Sequence, residues 1–324
     1  MTDFGDFVRR TMTERGLSLR ALSRAVNYDP GYVSRVLSGK QRPSPLLTER
    51  LDRELRAEGA LTALASTLTP DDRDRVNGAL DAPSRLDQAT VTALADVLAA
   101  QRRLDDVMPA VAMLPATTAQ WKQVKRLAGE ARGPHAGALH RVAAEWVQFI
   151  GWLHAEARND PQALTWLSEA EARADDVGDG ALAAQAANFK GYLARQQERP
   201  HAVVRWFLAA YHTPGATLLQ RVGDAVQAAH GYALLGERDA ARRLLDEATA
   251  LTDRAATSEP PGTAYWLSPT FSRMGIGLAL LALAEYADAA ENLRTGLDGL
   301  PADQRGAEWA REYRDALECA REAA

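Results

Sequence analysis

The sequence predicts an all-α chain, and two observations carry that prediction. Apolar residues recur at three- and four-residue spacing almost throughout, as in Leu51 and Leu55 or Leu94, Val97 and Leu98. Strand signals are close to absent, because alternating Val/Ile/Tyr runs are missing and the chain contains only two isoleucines. Its 324 residues suffice for about two domains and a sizeable core. With 46% hydrophobic and 25% charged residues it reads as a folded chain, and its lone cysteine, Cys319, can form no internal disulfide. No run approaches the roughly 18 apolar residues of a membrane helix, and the opening MTDFGDFVRR lacks the apolar stretch of a leader. The expected location is the cytoplasm, with nucleoid association if DNA is the partner.

Charge divides the chain. Against an overall −5, the stretch Arg9 to Arg42 holds eight cations and two acids, a surplus of six that leaves −11 for the remainder. A small basic module joined to an acidic body fits a head that meets a polyanion. The proline- and acid-rich stretch TPDDRDRVNGALDAPS, Thr69 to Ser84, interrupts the helical periodicity. The expected organisation is therefore a head over residues 1–68, a linker over 69–85 and a body over 86–324.

In the head, Phe4 to Arg15 reads as an amphipathic first helix ending at Gly16, and Ser18 caps a second, Leu19 to Val26. Asn27 ends it, since asparagine tolerates the left-handed backbone of a sharp turn. Asp29 and Pro30 then start a third helix, Pro30 to Leu37, with a capping carboxylate followed by a ring that needs no N–H partner. Ser23 is small where the second and third helices meet, and Val33 and Val36 point inward, as a helix-turn-helix requires.

The run LSLRALSRAVNYDPGYVSRVLSGKQRPS, Leu17 to Ser44, resembles the Xre, or lambda-repressor-like, family of DNA-binding domains. That family typically reads Leu-Ser-x-x-x-Leu, a turn, Tyr-Leu-Ser-Arg-Ile, then Gly-Lys-x-Arg-Pro-Ser. The resemblance implies a third helix in the major groove of double-stranded DNA, presenting Pro30, Gly31, Ser34 and Arg35 to base edges. Only Arg35 is built for bidentate bonding to guanine, worth ~1–3 kcal/mol of discrimination. A surface ion pair within the head is the competing role for that side chain. Tyr32, Lys40, Arg42, Arg20 and Arg24 are implied contacts to the DNA backbone, which give affinity and register but little sequence information. Leu19 stands where the family often has a phosphate-binding glutamine, so readout rests on Arg35 and on DNA shape.

The body repeats itself. Four segments share one pattern of small, large and small residues: Ala163, Leu167, Ala170; Ala202, Trp206, Ala209; Ala241, Leu245, Ala248; and Ala289, Leu293, Gly296. The first three are 39 residues apart and the last follows after 48, with an insertion around SEPPGTAYWLSP. A further small residue stands about twelve positions before each, at Gly151, Gly191, Ala229 and Gly277. The arrangement resembles the tetratricopeptide repeat, which implies a TPR-like α-solenoid. Residues 86–138 add one or two degenerate helix pairs, and Arg305 to Ala324 reads as a capping helix. The stretch AAEWVQFIGWLHAEA, Ala143 to Ala157, is similar to actinobacterial regulators that join an Xre head to such a body.

In related regulators the concave face of the array binds a signalling peptide and couples it to the head. The resemblance implies Glu145, Gln148, Trp152, Glu156, Gln185, Asn188, Arg195 and His230 as inner-face residues. Gln148 and Asn188 would bind peptide backbone and Arg195 a carboxylate. Each also reads as a solvated inner-face residue, and Trp152 as core. Tyr265 and Trp266 either cover a ligand or pack the longer loop.

Catalytic, metal and cofactor signals are thin. The six histidines form no HxxxH pair and have no cysteine partner, no phosphate loop is spaced correctly, and Cys319 reads as a small core residue. The expected function is a non-enzymatic, sequence-specific transcriptional regulator. Its body would form a homodimer on a palindromic operator, sense a peptide, small-molecule or protein effector, or do both. The alternative is an interaction adaptor with a non-reading head.

Overall fold

The computed structural model describes residues 4–38, 41, 43–55, 57, 70–106, 108–255, 258–301 and 304–324, the side chains of Asp6, Pro45 and Pro70 excepted. Among the described residues there are sixteen α-helices and no strand. None of these helices is long and apolar enough to cross a membrane. The chain divides into two compact units, Met1–Ala100 and Gln101–Ala324.

The first unit opens with α1 (Phe4–Glu14), α2 (Leu19–Ala25), α3 (Pro30–Leu37) and α4 (Pro45–Glu54). Each boundary has a local cause. Ser18 Oγ accepts the Ala21 N–H at 3.2 Å, Asp29 Oδ1 the Tyr32 N–H at 2.9 Å, and Ser44 Oγ the Leu47 N–H at 3.1 Å. Asn27 takes the left-handed conformation, φ +56°, that turns α2 into α3. Val8, Leu22, Val33, Leu47 and Leu51 form a fully buried core, and Ser23 is buried with them. A Cβ on Gly5 would sit 2.0 Å from the Leu37 carbonyl oxygen, so glycine lets α1 approach the end of α3. Residues 70–85 hold α5 (Pro70–Asp81) and a 3-10 turn, Pro83–Arg85, after which comes α6 (Gln88–Leu104).

In the second unit, α7 (Ala110–Glu130) precedes four helix hairpins. These pair α8 (Ala136–Glu156) with α9 (Asp160–Asp176), α10 (Gly180–Gln196) with α11 (Pro200–His212), α12 (Leu218–Leu234) with α13 (Arg238–Ala255), and α14 (Pro269–Ala282) with α15 (Tyr286–Asp298). The final helix, α16 (Arg311–Ala323), packs on α15. Every hairpin turns on one left-handed residue: Arg158, Glu198, Gly236 or Ala284. Five positions later comes a buried residue, Ala163, Val203, Ala241 or Ala289.

That frame corrects the second repeat. Its core residues are Val203, Phe207 and Ala210, one position beyond the expected Ala202, Trp206 and Ala209; Ala202 is buried, but Trp206 is half-buried and Ala209 exposed. The reason is steric. A Cβ on Gly151 would lie 2.8 Å from Leu167, on Gly191 2.8 Å from Phe207, and on Gly277 2.5 Å from Leu293, so each large side chain fills the space of a glycine sixteen positions earlier. Cys319 is likewise exposed rather than core, because the buried stripe of α16 runs through Tyr313, Ala316 and Ala320.

Candidate functional site

Helical periodicity on the first helix of successive hairpins gathers polar side chains onto one inner wall. Gln148 and Trp152 lie one turn apart on α8; Gln185, Asn188, Tyr192 and Arg195 run down α10; Gln220, Asp224 and Gln227 follow on α12. Together they line a cavity of about 100 Å³. Arg102, Asp105 and Asp106, at and beyond the end of α6, complete one side. The inserted loop supplies Tyr265 and Trp266, and Trp309 and Tyr313 come from the C-terminal region. The walls are strongly aromatic, with Trp152 4.7 Å from Phe189 and 5.0 Å from Tyr192, and Phe189 stacked 5.9 Å from Trp266.

The two arginines of the cavity are neutralised by carboxylates. Arg102 Nη1 donates to Glu145 Oε2 at 3.0 Å, and Arg195 Nη2 to Glu312 Oε2 at 2.9 Å, while the other end of the Arg195 guanidinium donates to Gln227. Two aspartates accept hydrogen bonds from neutral donors. Trp152 Nε1–H donates to Asp105 Oδ2 at 2.6 Å, and Asn188 Nδ2 to Asp224 Oδ1 at 2.6 Å. Burial pushes Asp105 up to about 7, with Trp152 opposing and Asp106 adding to the rise. Burial likewise raises Asp224 to about 8, and raises Glu156 to about 9 with help from Asp105, Glu308 and Asp106. The Tyr265 hydroxyl lies 2.7 Å from Asp106 Oδ2 and 3.0 Å from the Arg102 carbonyl oxygen, which ties the inserted loop to the cavity wall.

In the head, α3 is divided cleanly. Val33, Val36 and Leu37 are buried, whereas Pro30, Gly31, Ser34, Arg35 and Ser38 are exposed on the opposite side. Arg35 Nε donates to Gln41 Oε1 at 3.0 Å, which extends the guanidinium along the exposed face. Tyr32 stacks on Tyr28 at 5.6 Å, and its hydroxyl accepts the Ser44 N–H at 3.0 Å, so this ring links α3 to the cap of α4. Arg20 and Arg24 are exposed on α2.

Residues 3–65 match the helix-turn-helix domain family. No curated protein matches the chain. Among solved structures, it is similar to Bacillus thuringiensis PlcR in complex with the peptide PapR7 and DNA, at 15% identity over 98% of this chain and 99% of that one, with a TM-score of 0.40. It is also similar to aspartyl phosphate phosphatase F from Bacillus subtilis, at 10% identity over 99% of this chain and 94% of that one, with a TM-score of 0.43.

Within the helix-turn-helix domain, the residues assigned to base readout share the exposed face of α3, while Lys40 and Arg42 lie outside the described residues. In the body, Gln148, Trp152, Asn188 and Arg195 line the cavity together. His230 is buried on α12 and is not among the lining residues; burial and the Arg195 charge push it down to about 3, so it is neutral. The sequence reading missed Asp105, Asp106 and Asp224. Asp224 carried a usable signal, standing four positions after Gln220 and three before Gln227.

Proposed function

We propose that this chain is an Xre-type, sequence-specific transcriptional regulator that binds a palindromic operator as a homodimer in the cytoplasm. Residues 1–68 act as the reader, 69–85 as the connection, and 86–324 as the part that dimerises and receives an effector. The observation that carries the reading is the outward face of α3, where Pro30, Gly31, Ser34 and Arg35 stand exposed within a stretch whose charge is six units positive. Arg35 reads a base, Ser34 and the small front of the helix let the backbone come close, and Arg20, Arg24 and Tyr32 hold phosphates. Two heads on a two-fold body reach successive major grooves about 34 Å apart, or a multiple of that.

The test is titration of the full chain against the DNA upstream of its own gene at two salt concentrations, with a scrambled duplex as control. Saturable, preferential binding with a steep salt dependence is expected. Equal affinity for the scrambled duplex overturns the regulator reading and leaves an adaptor in its place.

A further inference from the structure

Two acids in the body cavity, Asp105 and Asp224, accept hydrogen bonds from neutral donors. Asp105 is 9% exposed, and its Oδ1 is buried without a hydrogen-bond partner. Asp224 is 1% exposed and accepts from the neutral Asn188. Gln185, 3% exposed, turns its Nε2 to the Thr263 carbonyl and leaves a buried Oε1 unpartnered. Unsatisfied acceptors thus share one cavity with three aromatic rings, Trp152, Phe189 and Trp266, whose faces attract cations. A buried acceptor without a donor is costly, and a cationic donor relieves that cost more than a neutral one. Arg102 and Arg195 do not fill this role, because Glu145 and Glu312 already occupy them.

We propose that the cavity binds a small organic ammonium ion that carries N–H bonds, held by the Asp105 carboxylate against the aromatic walls. Three observations fix that class. Among the described residues no group of three or more acids, histidines or cysteines could hold a metal ion, and the aromatic faces beside Asp105 suit an organic cation. The acceptors on Asp105 and Gln185 call for N–H donors, which a quaternary ammonium lacks. A volume of about 100 Å³ lies well below the roughly 300–1,000 Å³ of sites for drug-sized molecules, so the ligand has few heavy atoms. Two donors in the lining also stand unpartnered, Gln148 Nε2 and Arg195 Nε, which a hydroxyl on the ligand could meet. The arriving cation favours the ionised carboxylate, so binding near neutral pH releases a proton from Asp105.

This inference rests on the reading of the body as an effector domain. It is tested by calorimetry and tryptophan fluorescence of the full chain without DNA, using n-butylammonium, 4-amino-1-butanol, tetramethylammonium, n-butanol and butyrate as probes. Both N–H cations are expected to bind saturably, the amino alcohol more tightly, with proton release seen as a dependence of the heat on buffer. Tetramethylammonium should bind at least about tenfold more weakly, and butanol and butyrate not at all. Asp105→Asn should weaken n-butylammonium by about tenfold or more. Equal binding of butanol, equal binding of tetramethylammonium, or no saturation by any amine overturns the inference, and these wild-type results decide it even where a variant fails to fold. Operator binding is measured separately, so a chain that binds its DNA but ignores every amine overturns only this inference, and the converse overturns only the regulator reading.

Discussion

The helix-turn-helix head and the repeat body place polar chemistry on opposite sides of their helices. In the head, α3 buries Val33, Val36 and Leu37 and turns Ser34 and Arg35 to solvent, so its core residues and its exposed polar residues are distinct. In the body, the first helices of the hairpins bury Gln148, Gln185 and Asp224, and the polar groups are part of the interior. Under the proposed readings a large polyanion would be met by an open surface whose charges are cheaply hydrated, and a small ligand by a buried wall whose charges are costly until they are matched. Substitutions on the head's exposed face should therefore change binding without changing stability, whereas substitutions at the body's wall should change both.

The sharpest test of the body's side of this contrast concerns packing. Phe207→Ala should cost about 3–5 kcal/mol in urea unfolding, because Phe207 is 1% exposed and fills the space of Gly191. Trp206→Ala should cost clearly less, since that ring is half-buried; equal losses would restore the register expected from sequence.

Next in size is a pH effect. Asp224 has a folded value of about 8 against an ordinary 3.8, so the native state holds its proton more tightly than the unfolded chain. The contribution is fully present below 3.8 and is lost as pH rises through about 8. The stability advantage of Asp224→Asn over wild type should therefore grow from pH 5 to 8, and a constant difference between the two unfolding curves would remove the buried, unmatched acid.

On the head, Arg35→Ala should lose ~1–3 kcal/mol of discrimination between operator and scrambled DNA with no change in melting temperature. An unchanged footprint removes Arg35 from readout. Asp29→Ala should cost about 1 kcal/mol of head stability through the lost cap on Tyr32, read by amide hydrogen exchange in α3. Smallest of all, Arg20→Ala should lower the slope of log affinity against log salt by about one while leaving sequence preference intact.

The head was legible because its signals are local. Ser18, Asn27, Asp29 and Ser44 act within three residues of their own positions, and each capping or turning residue has a side chain suited to that task. The body's period was visible, but its second register was not. Glu198 follows Arg158 by 40 residues, and neither is a residue type that announces a left-handed turn. In alanine-rich helices a slip of one position still leaves plausible small residues, and only the pairing of Gly191 with Phe207 removes the ambiguity. Half of the cavity was legible for a similar reason: Gln148, Trp152, Asn188 and Arg195 follow helical spacing, whereas Asp105 and Trp309 arrive from distant stretches of chain.

By itself, then, the sequence determined the helices, the caps of the helix-turn-helix head and the presence of a repeat, because these depend on side chains within one or two turns of each other. Tertiary structure alone decided which large residue meets which glycine, that His230 goes to the interior, and that Asp105 and Asp224 share one aromatic cavity. Burial and charge matching are properties of the assembled neighbourhood, and a carboxylate becomes costly only when other elements exclude the water around it.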